Sequence, residues 1–353
     1  MISIEVSSSK IHNNSRLYCH TKYPEKDLFF SLVDYRNTYF TSDNPHKIIE
    51  FYNGFDNREQ LIRWMKERPK GVSKIHEVEG DKDIIVVIPT QDFNGKYAME
   101  CRESIFKGLH IIFVESGKDF YFNYAHNCNV GIRKAMEYNP KWIVISNDDM
   151  YKIDEVEILK NELIHLSQRD MSSTISKTKE VDVVYTSHPE YGTSVPIQLT
   201  VPNILWKMVA LALPHSDFVT AQKLLNKFKV NIKWSKIKSF FHKRGYEFVN
   251  FGPFYIFSGR FIAENGDGLF DEVYINNVED IDLSIYVKVR ALTATTKYRI
   301  SAWSEKNPVG GATLGTGTSR NINVASFIYL VYKIDQGWLG IKDDRKIRKF
   351  LRN

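Results

Sequence analysis

The sequence predicts an α/β fold: a mostly parallel sheet flanked by helices, carrying an N-terminal extension and a helical insertion. Three apolar runs predict the sheet. DIIVVIPT (83–90), HIIFVESG (110–117) and KWIVISNDD (141–149) are short, β-rich and end in small or polar residues, as strands buried on both faces do. Helical spacing fills the gaps between them. GKYAMECRESIFKG lies in the first gap, and in the second, FNYAHNCNVGIRKAMEYNP, residues Ala125, Cys128, Ile132, Ala135 and Met136 share a face before Pro140 marks the stop. Strand and helix therefore alternate every ~25–30 residues, the length of a βαβ unit. Ligands of such sheets sit beyond the carboxyl ends of the strands. IPTQD, ESGKD and SNDD all fall there.

The remaining elements follow in order. Residues 1–80 form an extension rich in aromatics, with a strand expected at ISIEV and a helix at NREQLIRWMKERP that Pro69 closes. The core domain spans 81–300. Within it LSQRDMSSTISKTKE (166–180) is a polar connection, VDVVYTS (181–187) is a fourth strand, and 181–250 is the insertion. Residues 301–353 supply a loop, a helix and the basic tail KDDRKIRKFLRN.

Composition narrows the classes. With 43% hydrophobic and 25% charged residues the chain fits neither a disordered protein nor a membrane channel. Its longest apolar run, NILWKMVALALP (203–214), is interrupted by Lys207 and too short to span a bilayer. MISIEVSSSK does not read as a signal peptide. Three widely spaced cysteines, Cys19, Cys101 and Cys128, fit reduced thiols in a cytoplasmic protein.

Asn147-Asp148-Asp149 carries the first chemical signal. Asn and Asp favour turns because their side chains bond the nearby backbone, so a plain turn is one reading. The other is a hard-cation site, in which strand-end carboxylates hold Mg2+ or Mn2+ and leave positions open for phosphate oxygens. A second acidic cluster lies in GLFDEVYINNVEDIDLSIYVKVRA, at Asp271, Glu272, Glu279, Asp280 and Asp282. Asn277 is expected to cap a helix whose first turn collects Glu279, Asp280 and Asp282, an arrangement the helix dipole favours without any catalysis.

A strand-end NDD, a later GLFDE and then EDIDL in one α/β chain resemble the inverting GT-A glycosyltransferases of the family 2 type, whose fold is Rossmann-like. The likeness covers about residues 83–290. VVIPT (86–90) is similar to the family's first strand and turn, NYAHNCNVGIRKA (123–135) to its Asn- and Gly-bearing helix, and NFGPFYIFSGRFIAENGDGLFDE (250–272) to the segment leading into the G-x-FDE turn. The resemblance implies a nucleotide-sugar donor bound near Pro89, Thr90 and Glu115, with Asn147 and Asp148 orienting ribose or water. It implies a divalent cation, Mg2+ or Mn2+, held by Asp149 with Asp148. Asp280 would be the base that deprotonates the acceptor hydroxyl, with Glu279, Asp271 and Glu272 on the acceptor side. Three features depart from the pattern: Glu115-Ser116-Gly117 ends the second strand, Asn147 replaces a common Asp, and no His follows His242.

QKLLNKFKVNIKWSKIKSFFHKRGY (222–246) has eight Lys or Arg and no acid. It suits either a solvated helix face or a peripheral membrane contact, where each cation near anionic headgroups contributes ~1 kcal/mol. The second reading fits a glycan or lipid-linked acceptor. No nucleic-acid reader motif accompanies the stretch. NPVGGATLGTGTSRN (307–321) lacks the GK[ST] of a phosphate loop and is expected to be a surface loop that closes over the donor. His110, His126, His165, His188, His215 and His242 show no paired metal spacing. Two rival functions remain open: a sugar nucleotidyltransferase, against which the missing glycine-rich loop with Arg counts, and a non-catalytic nucleic-acid or membrane-surface binding protein.

Overall fold

The computed structural model describes residues 35–42, 44–171, 180–186, 193–196, 248–251, 254–266, 268–276, 278–301, 325–330, 332, 333 and 336. The strand at ISIEV, the run at 203–214, the basic stretch 222–246, the glycine-rich 307–321 and the C-terminal tail lie outside them.

The three apolar runs are the central strands: β2 (Asp81–Thr90), β3 (Leu109–Glu115) and β4 (Trp142–Ser146), preceded by β1 (Lys74–Val78). After β4 come β5 (Tyr151–Lys152), β6 (Val183–Thr186), β7 (Thr193–Pro196), β8 (Phe248–Phe251), β9 (Phe254–Ser258), β10 (Thr293–Thr296) and β11 (Ile300–Ser301). The main sheet has the order β1-β3-β2-β4-β9-β6-β10. It is the mostly parallel sheet expected, with two reversed strands: β1 runs antiparallel to β3, and β9 runs antiparallel to both β4 and β6. Lys74–Val78, counted by sequence with the extension, is thus the sheet's edge strand.

Helices cover both faces. The N-terminal helices are α1 (Pro45–Asn53) and α2 (Arg58–Glu67), the latter capped by Asn57. The helix expected between β2 and β3 is two pieces, α3 (Lys96–Glu100) and a π-helical turn Cys101–Ile105. Then follow α4 (Tyr124–Met136), α5 (Val156–Met171), α6 (Gly259–Asn265) and α7 (Glu279–Arg290).

Alternation along β2 divides the core. Ile84, Val86 and Ile88 pack with Cys101, Ile105, Leu159 and Leu163 on one face. Ile85 and Val87 pack with Ala125, Cys128, Ile132, Phe261, Leu283 and Val287 on the other. Gly131 sets how closely α4 approaches that second face, because a Cβ there would lie 2.2 Å from Val87 Cγ1. A third cluster joins Phe40, Phe51, Leu61, Trp64 and Met65 to Ile275, Val278, Ile281 and Ile285, and to Ala325, Tyr329 and Leu330. The N-terminal helices therefore rest on the outer side of α7 together with helical residues from beyond 324.

β6 is the fourth strand expected at VDVVYTS and joins the main sheet, whereas β7 and β8, in the insertion expected to be helical, pair with each other in a separate ladder. That ladder's β8 lies beside α7.

Candidate active site

β2 leads to β3 on one side, and the chain then crosses over to place β4 on the other side of β2. Such a reversal of strand order opens a crevice at the carboxyl ends. Thr90 ends β2 opposite Glu115 of β3, and Asn147-Asp148-Asp149 follow β4.

Thr90, 4% exposed, donates its hydroxyl to Asp148 Oδ2 at 2.6 Å. Cys101, the first residue of the π-helical turn, donates its thiol to the Asp148 carbonyl at 3.3 Å. π-Helical turns are rare and recur at functional sites; here the turn props the carboxylates from below. Burial raises the Asp148 carboxyl to about 6, against the Thr90 hydroxyl bond and with help from the Asp149 charge. Asn147 Oδ1 is buried with no hydrogen-bond partner. An acceptor left orphaned beside two carboxylates is a set that suits a cation.

The fit to Mg2+ or Mn2+ has limits that the residues define. Among the described residues no three His, Cys, Asp or Glu side chains converge as a cage. Asp148, Asp149 and Asn147 Oδ1 together suit a hard cation that completes its shell with water and ligand phosphates, the usual way Mg2+ is held.

At the edge of the crevice, Glu115 accepts from or shares a proton with His76 Nε2 at 2.6 Å and lies 4.0 Å from Lys74. The His76 contact holds the Glu115 carboxyl below its usual range. Phe93 stacks on the His76 ring at 4.3 Å between centroids, and the Arg102 guanidinium lies 4.7 Å from the Phe93 centroid. Pro89, in register with Val114, is interior to the β2–β3 pairing.

The second acidic cluster divides by role. Glu272 braces the fold: its Oε2 meets His126 Nδ1 at 2.8 Å and its Oε1 accepts from Asn129 Nδ2 at 2.9 Å. Burial pushes its carboxyl up, but the Asn129 and His126 bonds outweigh that and leave it below the ordinary range. Asn123 caps α4 through the His126 N–H and donates to the carbonyls of Glu272 and Tyr274. Asp271 accepts from Lys333 at 2.7 Å and from the Tyr329 hydroxyl at 2.9 Å.

Glu279 and Asp280 open α7. The residue before them is Val278, fully buried and left-handed at φ 76°, with no side-chain cap. This replaces the expected Asn277 cap, and Asn277 itself lies outside the described residues. A β-branched residue in that region is strained, and the Val278 side chain is held there by the third apolar cluster. Burial raises both carboxyls, Glu279 further by the Asp280 charge. Glu279 is 7% exposed, and its Oε2 has no hydrogen-bond partner. The Asp280 carbonyl accepts from the Tyr255 hydroxyl at 3.2 Å. Tyr255 is in register with Ile145, two residues before Asn147. The two acidic pairs are thus linked through neighbouring strands of one sheet.

Thr90, Glu115, Asn147, Asp148 and Asp149 gather at one crevice, and Glu279 with Asp280 belongs to the helix beside Tyr255. Asp271 and Glu272 are committed to bracing contacts. Sequence reasoning missed Cys101, Tyr255, Asn129 and Lys333. A signal existed for Asn129, since Asn within a helix is unfavourable without a bonding duty; none existed for Lys333.

Comparison with protein-family models, with curated proteins and with solved structures found no match.

Proposed function

We propose that the protein is a glycosyltransferase of the GT-A, family 2-like kind, moving a sugar from a nucleotide-sugar donor to an acceptor hydroxyl with inversion. The observation that carries this reading is the strand-end set at the switch point: two carboxylates, one bonded to Thr90 and raised to about 6 by burial, beside a buried amide oxygen without a partner. Sequence order of NDD, GLFDE and EDIDL adds to it.

In this reading Asp148 and Asp149 hold the cation, and Thr90 keeps Asp148 in its ionised, oriented form. When bound, the cation would supply charge neutralisation for the departing diphosphate. Asp280 takes the proton from the acceptor hydroxyl. Its raised carboxyl suits that task, because a base whose pKa approaches the working pH combines availability with driving force. Glu279, buried beside it, keeps a second negative charge or its proton close to the transfer.

The test compares two variants on whichever of UDP-, GDP- and dTDP-sugars the parent binds. Asp280→Asn is expected to keep Mn2+-dependent binding in calorimetry while transfer falls ~10²–10⁴-fold. Asp149→Ala is expected to lose the Mn2+-dependent binding. Transfer by Asp280→Asn at the parent rate would remove Asp280 from the role of base.

A further inference from the structure

Lys333 is a buried cation that the reaction scheme does not use. It is 6% exposed, and its ammonium reaches Asp271 Oδ2 at 2.7 Å and Asp282 Oδ2 at 2.5 Å. Asp282 is equally buried at 6%, and its Oδ1 has no hydrogen-bond partner. The Tyr274 and Tyr329 rings flank the ammonium, with centroids 5.5 and 5.6 Å away. Burial alone would lower the Lys333 ammonium, but Asp282 and Asp271 overcome that and raise it. Such a lysine stays charged.

Its position gives it leverage over α7. Asp271 belongs to the turn after α6, and Asp282 to the first turn of α7. The Asp282 N–H closes that turn on the Val278 carbonyl at 2.9 Å, and Val278 is the strained left-handed residue immediately before Glu279 and Asp280. Lys333 arrives with helical residues 325–330 and 332–333, whose Ala325, Tyr329 and Leu330 pack in the cluster that also holds Val278 and Ile281. Without the ammonium, two carboxylates would face each other across a buried space, next to a turn that already stores strain.

We propose that Lys333 is a positioning residue for the Glu279–Asp280 pair: by joining Asp271 to Asp282 it holds the first turn of α7 in the conformation in which Asp280 works. The catalytic half of this claim rests on the function proposed above. The conformational half does not.

Breaking one side of a buried ion pair leaves an uncompensated charge, whereas removing both sides is far gentler. Two full-length variants use that difference, Lys333→Met and the double variant Lys333→Met with Asp282→Asn. Hydrogen exchange is read at amides 279–283, and nucleotide release is read from UDP-, GDP- and dTDP-glucose with Mn2+. Lys333→Met is expected to exchange ~10-fold faster or more at those amides, and to release nucleotide ~10-fold more slowly with KM for the sugar nucleotide unchanged. The double variant, which strands one charge fewer but still lacks the bridge, is expected to regain stability while both changes stay within ~3-fold of the single variant.

Parent-like exchange and turnover in Lys333→Met would overturn the proposal, as would a double variant restored to parent values in both, which would make the stranded charge and not the missing bridge the cause. Faster exchange with unchanged turnover would overturn its catalytic half. If Lys333→Met does not fold, the double variant decides: a folded protein with faster exchange at 279–283 supports the proposal, whereas parent-like exchange, or loss of both folds, overturns it. A parent that releases no nucleotide from any of the three donors would count against the glycosyltransferase reading, while the exchange result still decides the conformational role.

Discussion

At the scale of single residues, the site depends on which carboxylates are committed and which are not. Glu272 and Asp271 have strong donors on their oxygens, while Glu279 keeps a buried oxygen without one. Thr90 matters in the same terms. Its hydroxyl lowers the Asp148 carboxyl against burial, so Thr90→Val is expected to raise Asp148 further and move the pH midpoint of Mn2+ binding upward by ~1 unit. Calorimetry with Mn2+ between pH 5 and 8 measures it; an unmoved midpoint would separate Thr90 from the cation site. The sequence made the acids visible because adjacent Asp residues at a strand end are costly without a partner. It could not separate bracing acids from available ones, since that depends on His126, Asn129, Tyr329 and Lys333, which only the tertiary fold brings near.

At the scale of elements, α4 is the piece that couples core to site. Its Asn123, His126 and Asn129 hold the 270–274 turn, and Gly131 lets it sit against Val87. Gly131→Ala is therefore expected to destabilise by ~1–3 kcal/mol through overpacking, despite the better helix propensity of Ala. Urea unfolding checks this, and a gain in stability would contradict the close approach. The strands β2, β3 and β4 were legible because continuous apolar runs announce two-sided burial. β1 was not: KIHEV is short, mostly polar and largely exposed at the edge. The reversal of β9 was not legible either, because a buried run such as FYIFS carries no mark of direction. Asn277 was expected to start α7 because Asn is a good cap. The burial of Val278 among the N-terminal aromatics decided the start of the helix instead.

At the scale of the whole molecule, buried carboxyls set the response to pH. Asp148 and Asp282 are raised to about 6, and Glu279 is raised as well. A carboxyl raised in the folded state contributes stability that is present below its unfolded value and is lost as pH rises through its folded value. Glu77, Glu115 and Glu272 are lowered, so their contribution is lost only as pH falls through their folded values, below the ordinary Glu range. The melting temperature is thus expected to peak near the ordinary carboxylate range and to decline from about pH 4 to 8, Asp148 and Asp282 acting up to about pH 6 and Glu279 beyond it. Glu279→Gln is expected to flatten the decline, melting ~2–4 °C higher at pH 8 for each ~1 kcal/mol recovered. A melting temperature that rises from pH 6 to 8 would contradict the burial of these acids. Among the described residues no helix is long and apolar enough to cross a membrane. The third cluster, which binds residues 40–65 to α7 and to 325–330, could not be read from sequence because its parts are far apart along the chain.

The central claim is a cation-dependent nucleotide-sugar site built on Asp148 and Asp149. The most direct measurement is nucleotide release from UDP-, GDP- and dTDP-sugars by the purified protein with Mn2+, with Mg2+ and with EDTA, alongside Asp149→Ala. Release of one nucleotide is expected that requires the cation and disappears in Asp149→Ala. No release from any donor, together with no nucleotide binding in calorimetry, would contradict it and leave Asn147-Asp148-Asp149 as a turn.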